Sequence, residues 1–144
     1  MAKTLDQRRA EYAFKIVNQV IERQYASDFA SLTSKMSSYI LTNGLGNTLA
    51  FLFSKGKEHH LCIAGLMADW ILRIYRLGES PNIQALNDDW IFDTKNIKDK
   101  LPEIMKSHVL SIDIHQYAVV TNELLALFGW LKRFSDGMLE KGGK

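Results

Sequence analysis

Apolar residues in this chain recur at intervals of three and four positions, and this spacing constrains the fold more than any other feature. Such a repeat collects apolar side chains on one face of an α-helix, whereas a half-buried strand needs strict alternation. Only two prolines, Pro81 and Pro102, interrupt the 144 residues. The sequence therefore predicts an all-α fold, a compact single-domain helical bundle of about five to six helices spanning residues 1–144.

The ends of these helices are marked by residues that cap free backbone groups. Thr4 and Gln7 have the spacing of a capping box, Ser27 and Asp113 are good N-caps, and Gly56 suits a helix C-terminus. The predicted helices have the approximate bounds 5–25, 28–42, 44–55, 58–77, 97–106 and 113–139. The fourth is apolar most of the way around, which places it at the centre of the bundle or against a partner.

Two glycines, Gly44 and Gly46, leave the chain path between the second and third helices open. Asn43 and Gly44 suit a tight hairpin turn, but the apolar residues keep helical spacing across the glycines. We therefore expect either one kinked helix or two helices that meet there. In the first helix, Ile21 falls on the apolar face and Arg9 at its edge, a position that suits a structural ion pair.

The composition argues against a protein that binds nucleic acid tightly on its own. Its net charge is only +2, from 18 basic and 16 acidic residues, so any RNA contact would be a local stripe. One cysteine, Cys62, allows no intramolecular disulfide. The N-terminal residues lack the apolar core of a signal peptide, and no apolar run is long enough for a membrane span. We expect a cytoplasmic protein with no membrane partner.

Reactive chemistry has little support in the sequence. His59 and Cys62 share a helix face, but a structural zinc needs about four ligands. Cys62 lies in an apolar helix, where burial withholds the reactive thiolate. Asp88 and Asp89 lack convergent partners for a catalytic metal, and GLGNTLA lacks the lysine and the preceding strand of a phosphate-binding loop. We expect no enzyme activity, metal, cofactor or small-molecule substrate.

Basic and amide side chains form three candidate groups for RNA contact. Arg8 and Lys15 lie seven residues apart on one helix face, a spacing that can follow a phosphate backbone. The solvated side of an ordinary helix is the simpler explanation from these residues alone. Trp130 precedes two basic residues and has a ring that can stack on a base. The candidates are Arg8, Arg9, Lys15 and Arg23 in the first group, Asn43, Lys55 and Lys57 in the second, and Lys132, Arg133 and Lys141 in the third.

Two large apolar residues, Leu125 and Trp130, lie off the main apolar stripe of the last helix. A wide core face is the simpler explanation. The other is a partner interface, which would leave apolar groups on an otherwise polar side.

Three strings of the sequence are recognisable together. They are TLDQRRAEYAFKIV from Thr4 to Val17, TNGLGNTLAFLFSK from Thr42 to Lys55, and ELLALFGWLKRFSDGM from Glu123 to Met138. In order and spacing they resemble the small subunit of the type III-B CRISPR effector, the Cmr complex.

The resemblance implies a small helical protein without a catalytic site that serves antiviral defence. It would assemble with other Cmr subunits, namely the backbone subunit and further copies of itself, along a guide RNA and its target RNA. It implies assembly and RNA-facing roles for residues 7–9, 42–52 and 130–134, and no family motif falls within 79–111. From the residues alone, the alternatives are a stand-alone helical protein-interaction module with no nucleic-acid role and a helical DNA-binding regulator.

Overall fold

The computed structural model describes residues 3–76 and 89–140. Within these ranges the chain forms six α-helices and no strand, so the predicted all-α fold is confirmed. A 3₁₀ turn at Asp89–Phe92 precedes the fifth helix, and a π-helical turn at Lys106–Leu110 follows it. The helices are α1 (Leu5–Val20), α2 (Ala26–Asn43), α3 (Leu45–Lys55), α4 (Glu58–Arg76), α5 (Thr94–Met105) and α6 (Ile114–Met138). No helix in the described ranges is both long and apolar enough to cross a membrane.

The central helix of the bundle is α4, in agreement with its apolar sequence. Every residue from 61 to 70 is buried, and α4 packs against α2, α3, α5, α6 and the 3₁₀ turn. Gly65 allows the 3₁₀ turn to come close, because a Cβ at this position would lie only 3.3 Å from the Cβ of Ile91. Trp90 and Ile91 are thereby buried against α4. The predicted end of this helix, Leu77, lies outside the described residues.

Two of the predicted N-terminal helix caps are present. The amide of Gln7 donates to Thr4 Oγ1 at 3.0 Å, and the amide of Thr4 donates to Gln7 Oε1 at 2.8 Å. Asp113 caps α6 by accepting from the amide of Gln116 at 2.8 Å. These bonds satisfy backbone donors that have no partner inside their helix.

Two details at the junction of α1 and α2 differ from the prediction. Helix α1 ends at Val20 rather than at residue 25, so Ile21 leaves the apolar face and is 46% exposed. Ser27 is not an N-cap, because α2 already begins at Ala26 and Ser27 lies in its first turn. The chain turns early because it must bring α2 back onto α6 and α4, which it contacts.

The glycine pair separates two helices rather than kinking one. Gly44 has φ +83° and ψ 160°, a backbone conformation that is essentially restricted to glycine. The amide of Gly46 donates to the Tyr117 hydroxyl at 2.8 Å, which ties the start of α3 to α6. Gly56 ends α3 with φ +69°, as expected for a C-terminal glycine.

We expect Gly44→Ala to lower the free energy of unfolding by about 1–3 kcal/mol, because a Cβ strains this backbone conformation. Urea denaturation measures the change. Gly129→Ala is the matched control, since a Cβ there meets nothing within 4 Å inside α6. Alanine at a helix interior position is worth up to about 1 kcal/mol over glycine, so the control should gain stability. Equal effects of the two substitutions would contradict the strain at Gly44.

Candidate nucleic-acid interface

The first candidate group does not form a single helical ladder. Arg8 and Lys15 lie on α1, where Arg8 is half-buried and Lys15 is exposed. Arg23 lies beyond the end of α1, and its guanidinium sits 4.7 Å from the ring centroid of Phe92. The early end of α1 therefore moves Arg23 away from the helix face that Arg8 and Lys15 share.

Arg9 is held in a structural ion pair, as its position at the edge of the apolar face suggested. Its Nε and Nη2 donate to the two carboxylate oxygens of Glu123 at 2.6 and 2.7 Å. The Arg9 side chain is 19% exposed and that of Glu123 7%. The hydrogen bond to Glu123 is the main cause that raises the pKa of Arg9. The positive charge of Arg9 is therefore largely neutralised by Glu123, so Arg9 is a weak candidate for RNA contact.

The second group lies around α3. Asn43 is the last residue of α2 and is exposed. Lys55 ends α3, and its ammonium lies 5.6 Å from the ring centroid of Phe51. Lys57 is an exposed residue between α3 and α4. Since α3 has 11 residues and rises about 1.5 Å per residue, Asn43 and Lys57 lie near its opposite ends.

The third group lies on α6. Lys132 and Arg133 are exposed, and Lys132 Nζ pairs with Asp136 Oδ2 at 3.0 Å. Arg133 and Trp130 line a surface hollow of about 240 Å³ together with Ala126 and Gly129. The predicted contact residue Lys141 lies outside the described residues.

An aromatic row joins α1 to α6 beside these cations. The rings of Trp130 and Phe134 stack with centroids 5.9 Å apart, and Phe14 meets Phe134 edge-on at 5.5 Å. Phe14 is 49% exposed. The indole N–H of Trp130 donates to Asp6 Oδ1 at 3.0 Å and is the main cause that lowers the pKa of Asp6. The helices that carry Arg8, Lys15, Lys132 and Arg133 are thus in contact, and this aromatic row joins them.

The two predicted interface residues, Leu125 and Trp130, are half-buried and pack against the core. Larger apolar exposure occurs at positions that the helical pattern did not single out. Leu41 is 73% exposed, Leu110 67% and Ile114 81%. Ile114 directly follows the Asp113 cap. Its place in the first turn of α6 was the sequence signal that could have indicated an exposed apolar residue.

The surroundings of Cys62, His59 and His60 do not support a metal site or a reactive thiol in the described residues. Cys62 is 1% exposed, and burial raises the pKa of its thiol to about 12, which keeps the reactive thiolate unpopulated at neutral pH. His59 and His60 lie with ring centroids 4.2 Å apart. In residues 3–76 and 89–140, no cluster of three or more His, Cys, Asp or Glu side chains could hold a metal ion.

His60 should make the fold sensitive to mild acid. Burial, followed by the charges of His59, Lys55 and Lys57, lowers its pKa to about 4, and Asp28 opposes this only weakly. In the unfolded chain His60 binds a proton near pH 6.5, whereas in the folded chain it stays neutral down to about pH 4. The contribution of neutral His60 to the free energy of unfolding is therefore fully present above pH 6.5 and is lost as the pH falls toward 4.

We expect His60→Gln to flatten the dependence of the melting temperature on pH between 5 and 7, as followed by circular dichroism. His115→Gln is the control, since His115 is exposed on α6. Equal slopes for the native chain and His60→Gln would show that other groups carry the acid sensitivity.

Similarity to known proteins extends over all six helices. The family model described as CRISPR-associated protein (Cas_Cmr5) matches residues 5–138, which run from the first residue of α1 to the last of α6. The CRISPR system Cmr subunit Cmr5 of Thermus thermophilus is 21% identical over 139 residues, covering 96% of this chain and 99% of that protein. Apart from Thr4, the three strings therefore lie within the matched region.

Proposed function

Because this chain belongs to the Cas_Cmr5 family of CRISPR-associated proteins, we propose that it is the non-catalytic small subunit of a type III-B Cmr complex in antiviral defence. The match over residues 5–138 is the observation that carries the proposal. The subunit packs beside backbone subunits and further copies of itself in the cytoplasm, and it helps to hold the guide RNA paired with its target RNA.

The distribution of charge supports a shared rather than an independent RNA site. With a net charge of +2, one copy offers few phosphate contacts, but repetition along a complex adds them together. Arg8 and Lys15 on α1 and Lys132 and Arg133 on α6 lie on two helices that pack directly against each other. Their side chains form one wall of the proposed groove.

Reconstitution with the other Cmr subunits and guide RNA tests this function. We expect the chain to enter the complex in a pull-down, and its omission to weaken binding of the target RNA. RNA incubated with the purified chain, with and without Mg²⁺, should stay intact. A complex that assembles without this chain and binds target RNA equally well would refute the proposal.

A stand-alone protein-interaction module is the second candidate, favoured by the exposure of Leu41, Leu110 and Ile114. Salt dependence separates the two functions. Phosphate contacts give a negative slope of log affinity against log salt, whereas an apolar interface gives almost none.

We expect the double substitution Arg8→Glu with Lys132→Glu to weaken target binding by the assembled complex several-fold, because two attractive phosphate contacts become repulsive. Filter binding at two salt concentrations measures the loss and the reduced salt slope. The control is Lys95→Glu with Lys98→Glu, which changes the net charge by the same amount. Both lysines are exposed on α5 outside all three candidate groups. Equal losses in the two variants would show a non-specific charge effect, and an unchanged melting temperature excludes unfolding.

A further inference from the structure

A small cavity opens between α2 and α3 beside the glycine pair. Its volume is about 270 Å³, and its lining consists of Tyr39, Asn43, Asn47, Thr48 and Phe51. Pockets for drug-sized ligands usually begin at roughly 300 Å³, so this one suits a smaller planar group. Four of the five lining residues belong to the TNGLGNTLAFLFSK string.

The walls of the cavity are fixed by contacts inside the protein. The Thr48 hydroxyl lies 2.7 Å from the Gly44 carbonyl and 3.2 Å from that of Tyr39, and so bridges α2 and α3. Tyr39 and Phe51 meet edge to face with centroids 5.7 Å apart. His60 packs against the same phenyl ring at 6.1 Å. The cavity therefore exists before any ligand binds.

Phe51 offers an aromatic surface despite these contacts, since it is 38% exposed. Stacking of a base on an exposed aromatic ring is worth about 1–3 kcal/mol. The Lys55 ammonium lies over this ring, 5.6 Å from its centroid. A base that stacks on the ring displaces the ammonium, which can then pair with the phosphate of that nucleotide.

Two carboxamides complete the lining. Asn43 and Asn47 are exposed, and neither side chain has a hydrogen-bond partner in the described part of the chain. An asparagine presents a donor and an acceptor side by side, which matches the edge of a nucleobase. The five lining residues include no carboxylate that would repel RNA.

We propose that this cavity binds one unpaired nucleobase of single-stranded RNA. The base stacks on Phe51, Asn43 and Asn47 hydrogen-bond its edge, and Lys55 contacts its phosphate. The inference rests on the proposed function in one respect, since a chain that helps to hold RNA can meet it at the second candidate group, which includes Asn43 and Lys55. The base that it concerns is one left unpaired in that RNA. It adds a specific site, because unstacked bases are what proteins read in RNA.

The test uses the full chain and a single-stranded oligouridine with one central 2-aminopurine, whose fluorescence is quenched when it stacks. We expect the native chain to quench the probe in a saturable titration at low salt. Phe51→Leu keeps an apolar side chain but removes the ring, so both the quenching and about tenfold of the affinity should be lost.

Asn47→Asp is the second variant, and its design separates binding from folding. Asn47 is the third residue of α3, where a carboxylate stabilises the helix through its dipole. The protein should stay folded, while the new charge repels RNA and the lost amide donor weakens binding several-fold. Asn96→Asp makes the same change at the third residue of α5, away from the cavity, and should bind like the native chain.

The results of these titrations and of complex assembly separate the base-binding site from the proposed function. The base-binding proposal is overturned if the native chain does not quench the probe, or if Phe51→Leu and Asn47→Asp bind like Asn96→Asp. In either case, assembly of the native chain into the Cmr complex would still support the proposed function. Unchanged RNA titration together with failed assembly of Asn47→Asp assigns the cavity to a protein partner and also overturns the inference. Pocket-dependent quenching by a chain that stays out of the complex supports the pocket and refutes the proposed function alone.

Discussion

Asp69→Ala is expected to lower the free energy of unfolding by about 3–5 kcal/mol, as usual when one partner of a buried charge pair is removed. Asp69 is 3% exposed. Its Oδ2 accepts from the Tyr12 hydroxyl at 2.7 Å and from Arg73 Nε at 2.9 Å, and its Oδ1 accepts from the Trp90 indole at 3.1 Å. One carboxylate thus joins α1, α4 and the 3₁₀ turn, and its loss removes a counter-charge that lies 2.9 Å from a buried guanidinium.

Urea denaturation of Asp69→Ala beside Asp69→Asn measures this effect. The asparagine variant should fall between the native chain and the alanine variant, because its amide oxygen still accepts but carries no charge. Asp136→Ala is the surface control, since the side chains of Lys132 and Asp136 are 49% and 38% exposed. An exposed pair contributes about 0–1 kcal/mol. A loss at Asp69 no larger than at Asp136 would contradict the importance of the buried carboxylate.

The helices were predictable because their signals are local. Apolar spacing and caps such as Thr4 and Asp113 act within one or two turns, and the structure shows them in place. Helix α1 ends early for a reason that lies elsewhere in the chain, namely the packing of α2 on α4 and α6. Helix α5 starts at Thr94 rather than near 97, because Asp93 accepts from the amides of Lys95 and Asn96. Asp93 is a local cap of the same kind as Asp113.

The buried charges were not predictable as a network. An aspartate inside the apolar run around Asp69 is a visible oddity, but its partners Tyr12 and Trp90 lie 57 and 21 residues away. Helical periodicity says which side of a helix a residue occupies and nothing about which other helix it meets. For Arg9, the helical wheel indicated a structural ion pair but gave no means of choosing Glu123 as the partner.

The candidate RNA surface was likewise only partly predictable from the sequence. The sequence identified Asn43 and Lys55 as polar residues near the glycines, and the structure adds that Asn43 lines a cavity with Tyr39 and Phe51. That cavity depends on the angle at which α2 and α3 meet, which the backbone of Gly44 sets. Sequence spacing left this angle open, so the pocket became visible only in three dimensions. The RNA contacts themselves remain predictions.

Glu123→Leu is expected to cost about 3–5 kcal/mol of stability, because it removes the buried counter-charge of Arg9. Only the exposed carboxylate of Asp6, 3.2 Å from Arg9 Nη1, then remains. The Glu123 carboxylate also accepts from the Trp70 indole at 3.0 Å, so the same substitution removes the partner of a buried donor. The pair joins α1 to α6, the two helices that carry Arg8, Lys15, Lys132 and Arg133. Loss of the pair should therefore loosen the proposed RNA-facing wall as well as the core.

A double-mutant cycle with Arg9→Met separates the ion pair from the packing around it. Replacing both charges of a buried pair with apolar side chains is often neutral, so the double variant should regain most of the stability lost in Glu123→Leu. Recovery should be incomplete, since the Trp70 N–H still lacks its acceptor, a deficit of about 1–3 kcal/mol. Additive losses in the urea melts would contradict the coupling, and would return Arg9 to the residues whose charge is available for RNA.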